Sequence, residues 1–245
     1  MAQVVNASHR SNRLLAALEP EDFAAIEPHL ELVELTRGQI LYDAGELISH
    51  AYFLHNAIIS LVNIMEDGST NEVVTYGREG VAGLLSALVT REAFGRYIVQ
   101  VAGTASRIAF ERLNEVRITC PSLQLLIMRY VEAFIAQMFQ TLSCNALHPV
   151  EARCCRWILS MHDRVDGDTL PLTHEVLAEM LGVQRSTVSV VARTLQTAGL
   201  IQQGRGTITV TDRAGLEGAA CECYGKIRRV YQRLLPCTYP QPPPK

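Results

Sequence analysis

The sequence predicts an α+β chain: a strand-rich N-terminal part, a long helix, and a C-terminal helix-turn-helix with a hairpin wing. Three observations carry this. From about residue 30 to 107, short alternating apolar stretches are separated by turn residues, among them Gly38, Gly45, Asp67-Gly68, Gly77 and Gly103; many short strands at such spacing form a small antiparallel barrel or sandwich. Residues 121–147, PSLQLLIMRYVEAFIAQMFQTLSCNAL, read as one long helix with Pro121 in its first turn. Leu172–Ile201, LTHEVLAEMLGVQRSTVSVVARTLQTAGLI, has the spacing of two helices meeting at a tight corner.

Taken in order, residues 13–30 suggest short helices broken by Pro20 and Pro28. The candidate strands are Leu32–Leu35, Gln39–Tyr42, Ala51–Leu54, Ile58–Ile64, Glu72–Tyr76, Tyr97–Val101 and Ala105–Ala109, with a short helix at Val81–Val89. In the long helix, Leu123, Ile127, Tyr130, Phe134, Met138 and Leu142 form one apolar face, and Leu126, Val131 and Ile135 much of another. A helix apolar around so much of its circumference is buried on more than one side. The face at Leu123, Ile127, Tyr130, Phe134 and Met138 is assigned to a dimer interface, because one face of such a helix can pack on the strands while the other meets its twin. His148-Pro149 breaks the helix and is the expected hinge. Val150–Arg164 is a further helix carrying the lone tryptophan, Trp157, with Ile158 and Met161 toward a core. Val165–Pro171 reads as a loop, Asp212 as the cap of a final helix Arg213–Leu235, and Pro236–Lys245 as a disordered tail.

The helix-turn-helix is the stretch with the sharpest chemistry. Thr173 is a good N-cap, Leu172 and Leu177 fall at hydrophobic-staple positions, and Gly182 can take the left-handed turn that ends the first helix. His174, beside that cap, reads as an exposed or capping-region residue. In the second helix, from about Gln184 to Gln196, Val188, Val191 and Leu195 face inward. Gln184, Arg185, Ser186, Ser189, Val190 and Arg193 are left outside or near the leading end. The major groove of B-DNA admits one helix, where arginine pairs with guanine, glutamine with adenine, and an apolar side chain touches a thymine methyl. Leu200-Ile201, the Gly204-Arg205-Gly206 turn and Thr207–Val210 make a hairpin wing whose tip, Arg205, is placed for a phosphate.

Charge agrees with this. The chain of 245 residues has a net charge of −3, but residues 1–148 hold 10 basic and 16 acidic residues, whereas 185–235 hold 8 and 3. The recognition end is the basic part of an acidic molecule. The N-terminal residues lack a signal pattern and no apolar run approaches membrane-spanning length, so a cytoplasmic protein without a membrane partner is expected. Catalytic residues are not assigned: Gly77–Gly83 is glycine-rich but lacks the Lys-Ser/Thr of a phosphate-binding loop.

The barrel glycines, Tyr52-Phe53-Leu54, the run Gly77-Arg78-Glu79-Gly80-Val81-Ala82-Gly83, and the winged helix-turn-helix occur in an order that resembles the Crp/Fnr family of bacterial transcription regulators, over about residues 20–235. The resemblance implies a jelly-roll-like β-roll sensor domain of cyclic-nucleotide-binding type over 1–110. A dimerisation helix over 111–147 and a DNA-binding domain over 148–235 follow, and the tail is 236–245. It implies a homodimer on double-stranded DNA, RNA polymerase as a further partner, and an effector, here an unknown small molecule. Relatives that bind cyclic nucleotides carry a Gly-Glu pair for the ribose and an Arg-Ser or Arg-Thr pair for the phosphate. Here Leu84 follows Gly83, Glu79 lies one turn earlier, and Tyr97 follows Arg96, so only Arg96 is in place and a cyclic nucleotide is disfavoured. Glu79, Gly83, Arg96 and Tyr97 are the candidate effector residues. Many relatives read DNA with Arg-Glu-Thr-Val-x-Arg, where this chain has Arg185-Ser186-Thr187-Val188-Ser189-Val190, which implies a different target site.

Cysteines stand at 120, 144, 154, 155, 221, 223 and 237. The N-terminal cysteines by which some relatives hold an iron–sulfur cluster are missing. Cys221 and Cys223, two apart on a predicted helix, point away from each other and make a poor chelate without outside help. Cys154-Cys155 is no better, so no metal site is assigned. A thiol- or metal-responsive regulator, or a DNA-binding protein with a vestigial ligand domain, are the alternatives.

Overall fold

Pro20 starts a helix where the sequence suggests a break. In the computed structural model, which describes residues 8–87, 90–236 and 238, α1 is Arg13–Ala16 and α2 is Pro20–Ile26. At the first helical position proline's missing N–H is one the helix would leave unpaired anyway. Pro28 sits in a 3₁₀ turn, Glu27–His29. Asn12 caps α1 and is buried, its amide donating to the Leu54 and Gly80 carbonyls at 2.9 Å each.

The expected strands all form. They are β1 (Glu31–Leu35), β2 (Ile40–Tyr42), β3 (His50–Leu54), β4 (Ile58–Ile64), β5 (Thr70–Tyr76), β6 (Val81–Ala82), β7 (Arg96–Val101) and β8 (Gly103–Ala109). Two four-stranded sheets result, in the orders β1-β8-β3-β6 and β2-β7-β4-β5. Val81 and Ala82 pair with Phe53 and Tyr52, which delays the expected helix until α3 (Leu84–Ala87); residues 88–89 lie outside the described residues. A helix that the sequence pattern does not separate, α4 (Phe110–Thr119), buries Phe110, Leu113 and Val116 before the long helix α5 (Pro121–Leu147).

The dimer face assigned from sequence requires correction. Leu123, Ile127, Tyr130 and Phe134 are all buried within their own chain and Met138 is half-buried. Tyr130 receives the Val81 N–H at 3.2 Å, and Phe134 stacks on Tyr76 with ring centroids 5.1 Å apart. The face left open is another: Leu125, Met128, Ile135, Phe139 and Leu142 are exposed, Phe139 by 67% and Leu142, which the sequence pattern groups with the inner row, by 69%.

The chain gathers into two compact units. The first holds residues up to 61, 75–134 and the chain from Tyr231; the second holds 62–74 and 135–230. The outer part of the β4–β5 hairpin thus groups with the second unit, although the resemblance places all of 1–110 together. The reason is polar docking: Trp157 donates its indole N–H to Glu72 at 2.9 Å, and Thr70 donates to Glu179 at 3.1 Å. The second unit contains α6 (Val150–His162), β9 (Thr169–Leu170), α7 (His174–Leu181), α8 (Arg185–Thr197), β10 (Ile201–Gly204), β11 (Thr207–Val210), α9 (Arg213–Ala219) and most of α10 (Cys223–Leu234). Trp157, Ile158 and Met161 are buried as expected.

Two further differences matter. The predicted loop 165–171 contains β9, which completes a β10-β11-β9 sheet. The predicted final helix is two helices, because Ala220 is extended (φ −75°, ψ 153°). Of the predicted tail, Thr238 is buried, bonds the Leu235 carbonyl through its hydroxyl at 2.9 Å and receives Arg13 on its own carbonyl at 3.2 Å. Residues 237 and 239–245 lie outside the described residues.

Candidate nucleic-acid interface

Local chemistry sets α7 and α8 in place. Thr173 accepts the Val176 N–H at 3.3 Å, and Leu172 and Leu177 are both buried beneath that cap. Gly182 is left-handed at φ +65°, a conformation that would strain any side chain, and it stops α7 so that α8 can turn away. In α8, Val188, Val191, Ala192 and Leu195 are buried. On the opposite side Gln184, Arg185, Ser186, Val190 and Arg193 are exposed. Val190, a β-branched apolar residue, is 64% exposed. Arg205 is exposed at the wing tip, between Gly204 and Gly206.

Side chains link the reading head to the wing in a way that local spacing does not reveal. Ser189 bonds the Arg185 carbonyl at 3.1 Å and lies 3.1 Å from His174 Nδ1, while His174 Nε2 lies 2.8 Å from Gln203 Oε1 on β10. Gln203 also donates its N–H to Gln196 at 2.8 Å. His174 is therefore more than a capping-region residue; it is the bridge between recognition helix and wing. Ser189 is half-buried and partnered on both sides. Arg185 Nε pairs with Glu175 Oε1 at 2.8 Å, both side chains largely exposed. The Glu175 carboxyl is held below its ordinary range, first by its own amide at the helix start, with the Arg185 charge adding to this. Glu175 thus supplies, from α7, a carboxylate beside Arg185 where this chain has Ser186 on α8.

The candidate effector residues are not gathered into a free anion site. Arg96, at the start of β7, forks onto Asp43, Nε to Oδ1 at 3.1 Å and Nη2 to Oδ2 at 2.8 Å, which holds the Asp43 carboxyl below its usual range. Tyr97 is buried, its hydroxyl 2.9 Å from Ser86 and its ring stacked on Tyr76 at 5.8 Å; burial raises its pKa. Glu79 is buried, and Gly83 takes φ +88° with the His50 carbonyl 3.0 Å from where a Cβ would sit.

The cysteines divide sharply. Burial pushes the Cys154 thiol up, and that of Cys155 up to about 11, which makes both inert small apolar residues. Cys144, His148, Cys221 and Cys223 instead come together, with ligand atoms all within 4.8 Å of one another. The break at Ala220 removes the premise that Cys221 and Cys223 sit on one helix and point apart. No spacing signal could have found this group, since the two halves lie more than seventy residues apart.

Comparison with known proteins agrees with this geometry. Residues 152–219 match the Crp-like helix-turn-helix domain. The chain is 24% identical over 197 residues to the global nitrogen regulator of Synechococcus elongatus, covering 76% of this chain and 88% of that one. It is 26% identical over 196 residues to the global nitrogen regulator of Nostoc sp., covering 76% and 86%. Residues 152–219 thus carry a Crp-like helix-turn-helix domain, and most of the chain is similar to transcription regulators of Crp/Fnr type.

The fold of this chain is shared by solved structures at low identity. FixK2 from Bradyrhizobium japonicum superposes with a TM-score of 0.69 at 13% identity, over 78% of this chain and 98% of that one. The c-di-GMP-responsive global regulator CLP of Xanthomonas campestris gives 0.61 at 15% identity, over 78% and 99%. The family is one of transcription regulators and not of enzymes, and its members bind DNA and are dimers. Among the described residues no single helix is long and apolar enough to cross a membrane.

Proposed function

We propose that this chain is a Crp/Fnr-type regulator that binds its operator as a homodimer, with the leading end of α8 in the major groove and the wing on the backbone. One observation carries the reading. A row of exposed side chains, Gln184, Arg185, Ser186, Val190 and Arg193, lies over the buried row Val188, Val191, Ala192 and Leu195. Arg185 reads guanine, Gln184 adenine and Val190 a thymine methyl, while Arg205 contacts phosphate. Ser186 and Ser189 complete the surface, Ser189 by holding the helix to His174. The pairing surface is the exposed row Leu125, Met128, Ile135, Phe139 and Leu142 on α5. These positions alternate three and four residues apart once Glu132 is included, the seam of a two-stranded coiled coil. Selecting bound duplexes from random DNA tests this reading: near-palindromic sites with half-sites about 34–36 Å apart are expected. A protein that ignores duplex DNA at low salt would end it.

An input to the β-roll is proposed to act through α5 and the break at Pro149, changing the separation of the two recognition helices. The Arg96–Asp43 fork supports an effector other than a cyclic nucleotide, because a cyclic phosphate would have to displace a carboxylate already paired in two places. Work in the cytoplasm and contact with RNA polymerase follow from the regulatory role. Operator binding measured with and without cyclic nucleotides and cell metabolites checks the gating; unchanged binding under every condition would leave the β-roll a scaffold.

A further inference from the structure

The four residues that meet at the end of α5 have no part in reading DNA, yet they form the densest group of soft ligands among the described residues. Cys144 lies in the last turn of α5, and His148, four residues on, still bonds its carbonyl at 3.0 Å. Cys221 lies two residues before Cys223, which opens α10, and both sulfurs lie within 4.8 Å of the Cys144 and His148 ligand atoms. Cys144, Cys221 and Cys223 are all buried.

Two of their separations match those of a tetrahedral zinc site. Cys144 Sγ lies 3.4 Å from Cys221 Sγ, and Cys223 Sγ lies 3.5 Å from His148 Nδ1. Zinc at about 2.3 Å from sulfur and about 2.0 Å from nitrogen places its ligands about 3.5–3.8 Å apart. The sulfur separation is far beyond a disulfide bond of about 2.05 Å. A four-iron cluster is also the wrong size, since each ligand would sit on a different iron and the set would spread wider than 4.8 Å.

The surroundings suit a metal thiolate. Gln140 donates to Cys223 Sγ at 3.0 Å. His148 turns Nε2 to Glu222 at 3.0 Å, which leaves Nδ1 facing the sulfurs, the carboxylate–histidine–metal arrangement that fixes a ligand ring. Arg156 is buried, and its charge acts on Cys144. Three thiolates, one neutral histidine and a dication leave one negative charge, which that arginine offsets.

We propose that Cys144, His148, Cys221 and Cys223 bind one zinc ion per chain in a closed Cys3His site that ties the end of α5 to the start of α10. With four protein ligands and no open position the site is structural. Binding displaces the three thiol protons to solvent.

The test uses the full chain, purified under reducing conditions without chelator. Elemental analysis is expected to find one zinc per chain and no stoichiometric iron or sulfide. The Cys221→Ser/Cys223→Ser double variant is expected to lose it, and Cys120→Ser, which alters a cysteine of the other unit, to keep it. Because the double variant can fail for want of folding, the wild-type chain is also stripped of metal and titrated with Co2+. A visible spectrum of tetrahedral cobalt–thiolate type that Zn2+ abolishes is expected. Absence of zinc together with absence of that spectrum overturns the proposal. So does zinc retained by a folded double variant, iron with sulfide in place of zinc, or a Cys144–Cys221 disulfide in freshly isolated protein.

Discussion

Arg185 and Arg205 are both exposed arginines, and the proposed reading gives them different tasks. Arg185 stands at the leading end of α8 and is steadied by Glu175; Arg205 stands at the tip of a turn. Arg185→Ala should weaken binding to the selected site by about 1–3 kcal/mol and relax preference at one base pair. Arg205→Ala should weaken selected and random duplexes alike. Fluorescence anisotropy on both DNAs checks the pair, and equal losses from Arg185→Ala would remove it from base reading. His55 gives a second residue-scale prediction. It is buried, bonded to Thr104 and Ser106, and burial first of all pushes its pKa down to about 4. Between that value and the unfolded histidine's 6.5 the unfolded chain binds a proton that the folded chain refuses. Stability therefore rises with pH across this window and is lost as pH falls through it, by about 1–2 kcal/mol after allowing for solvent screening. Urea midpoints at pH 7 and pH 5 should show this, and His55→Gln should flatten the difference. The sequence marks Arg185 and Arg205 as surface chemistry, because turn and helix positions follow from local spacing. It gives no sign of His55, whose partners lie about fifty residues away.

At the scale of elements, α5 shows what periodicity can and cannot tell. Its bounds, Pro121–Leu147, are those the sequence predicts. Which stripe meets the β-roll is a different question, and a helix apolar nearly all round has no internal answer. The assignment of faces predicts opposite phenotypes. Phe139→Asp, on the exposed row, should shift the protein from dimer to monomer in sedimentation with little loss of protomer stability. Phe134→Ala, stacked on Tyr76, should cost about 3–5 kcal/mol of stability while the folded fraction still pairs. If Phe139→Asp sediments as wild type, the seam is elsewhere. The C-terminal helix teaches the same lesson from the other side: the local pattern of 213–235 is helical throughout, and only the extended Ala220 separates α9 from α10.

At the scale of the whole molecule, pairing should be visible in the salt dependence of DNA binding. Removing one lysine or arginine from a phosphate lowers the slope of log K against log salt by about one. A dimer presents two wings, so Arg205→Ala should lower it by about two, and a change of about one would mean a single chain on DNA. The order of parts needed for this reading was legible along the chain: alternating strands, a long apolar helix, then a capped helix pair with a glycine corner and a hairpin. These depend on interactions within a few residues, where spacing, caps and turn chemistry decide. What tertiary structure alone decided is which face of α5 is spent inside the protomer, that residues 62–74 dock through Glu72 on Trp157, that Arg96 belongs to Asp43, and that Cys144 and His148 meet Cys221 and Cys223. Each joins residues far apart in the chain, and such pairings are set by how elements pack against one another, which no local pattern encodes.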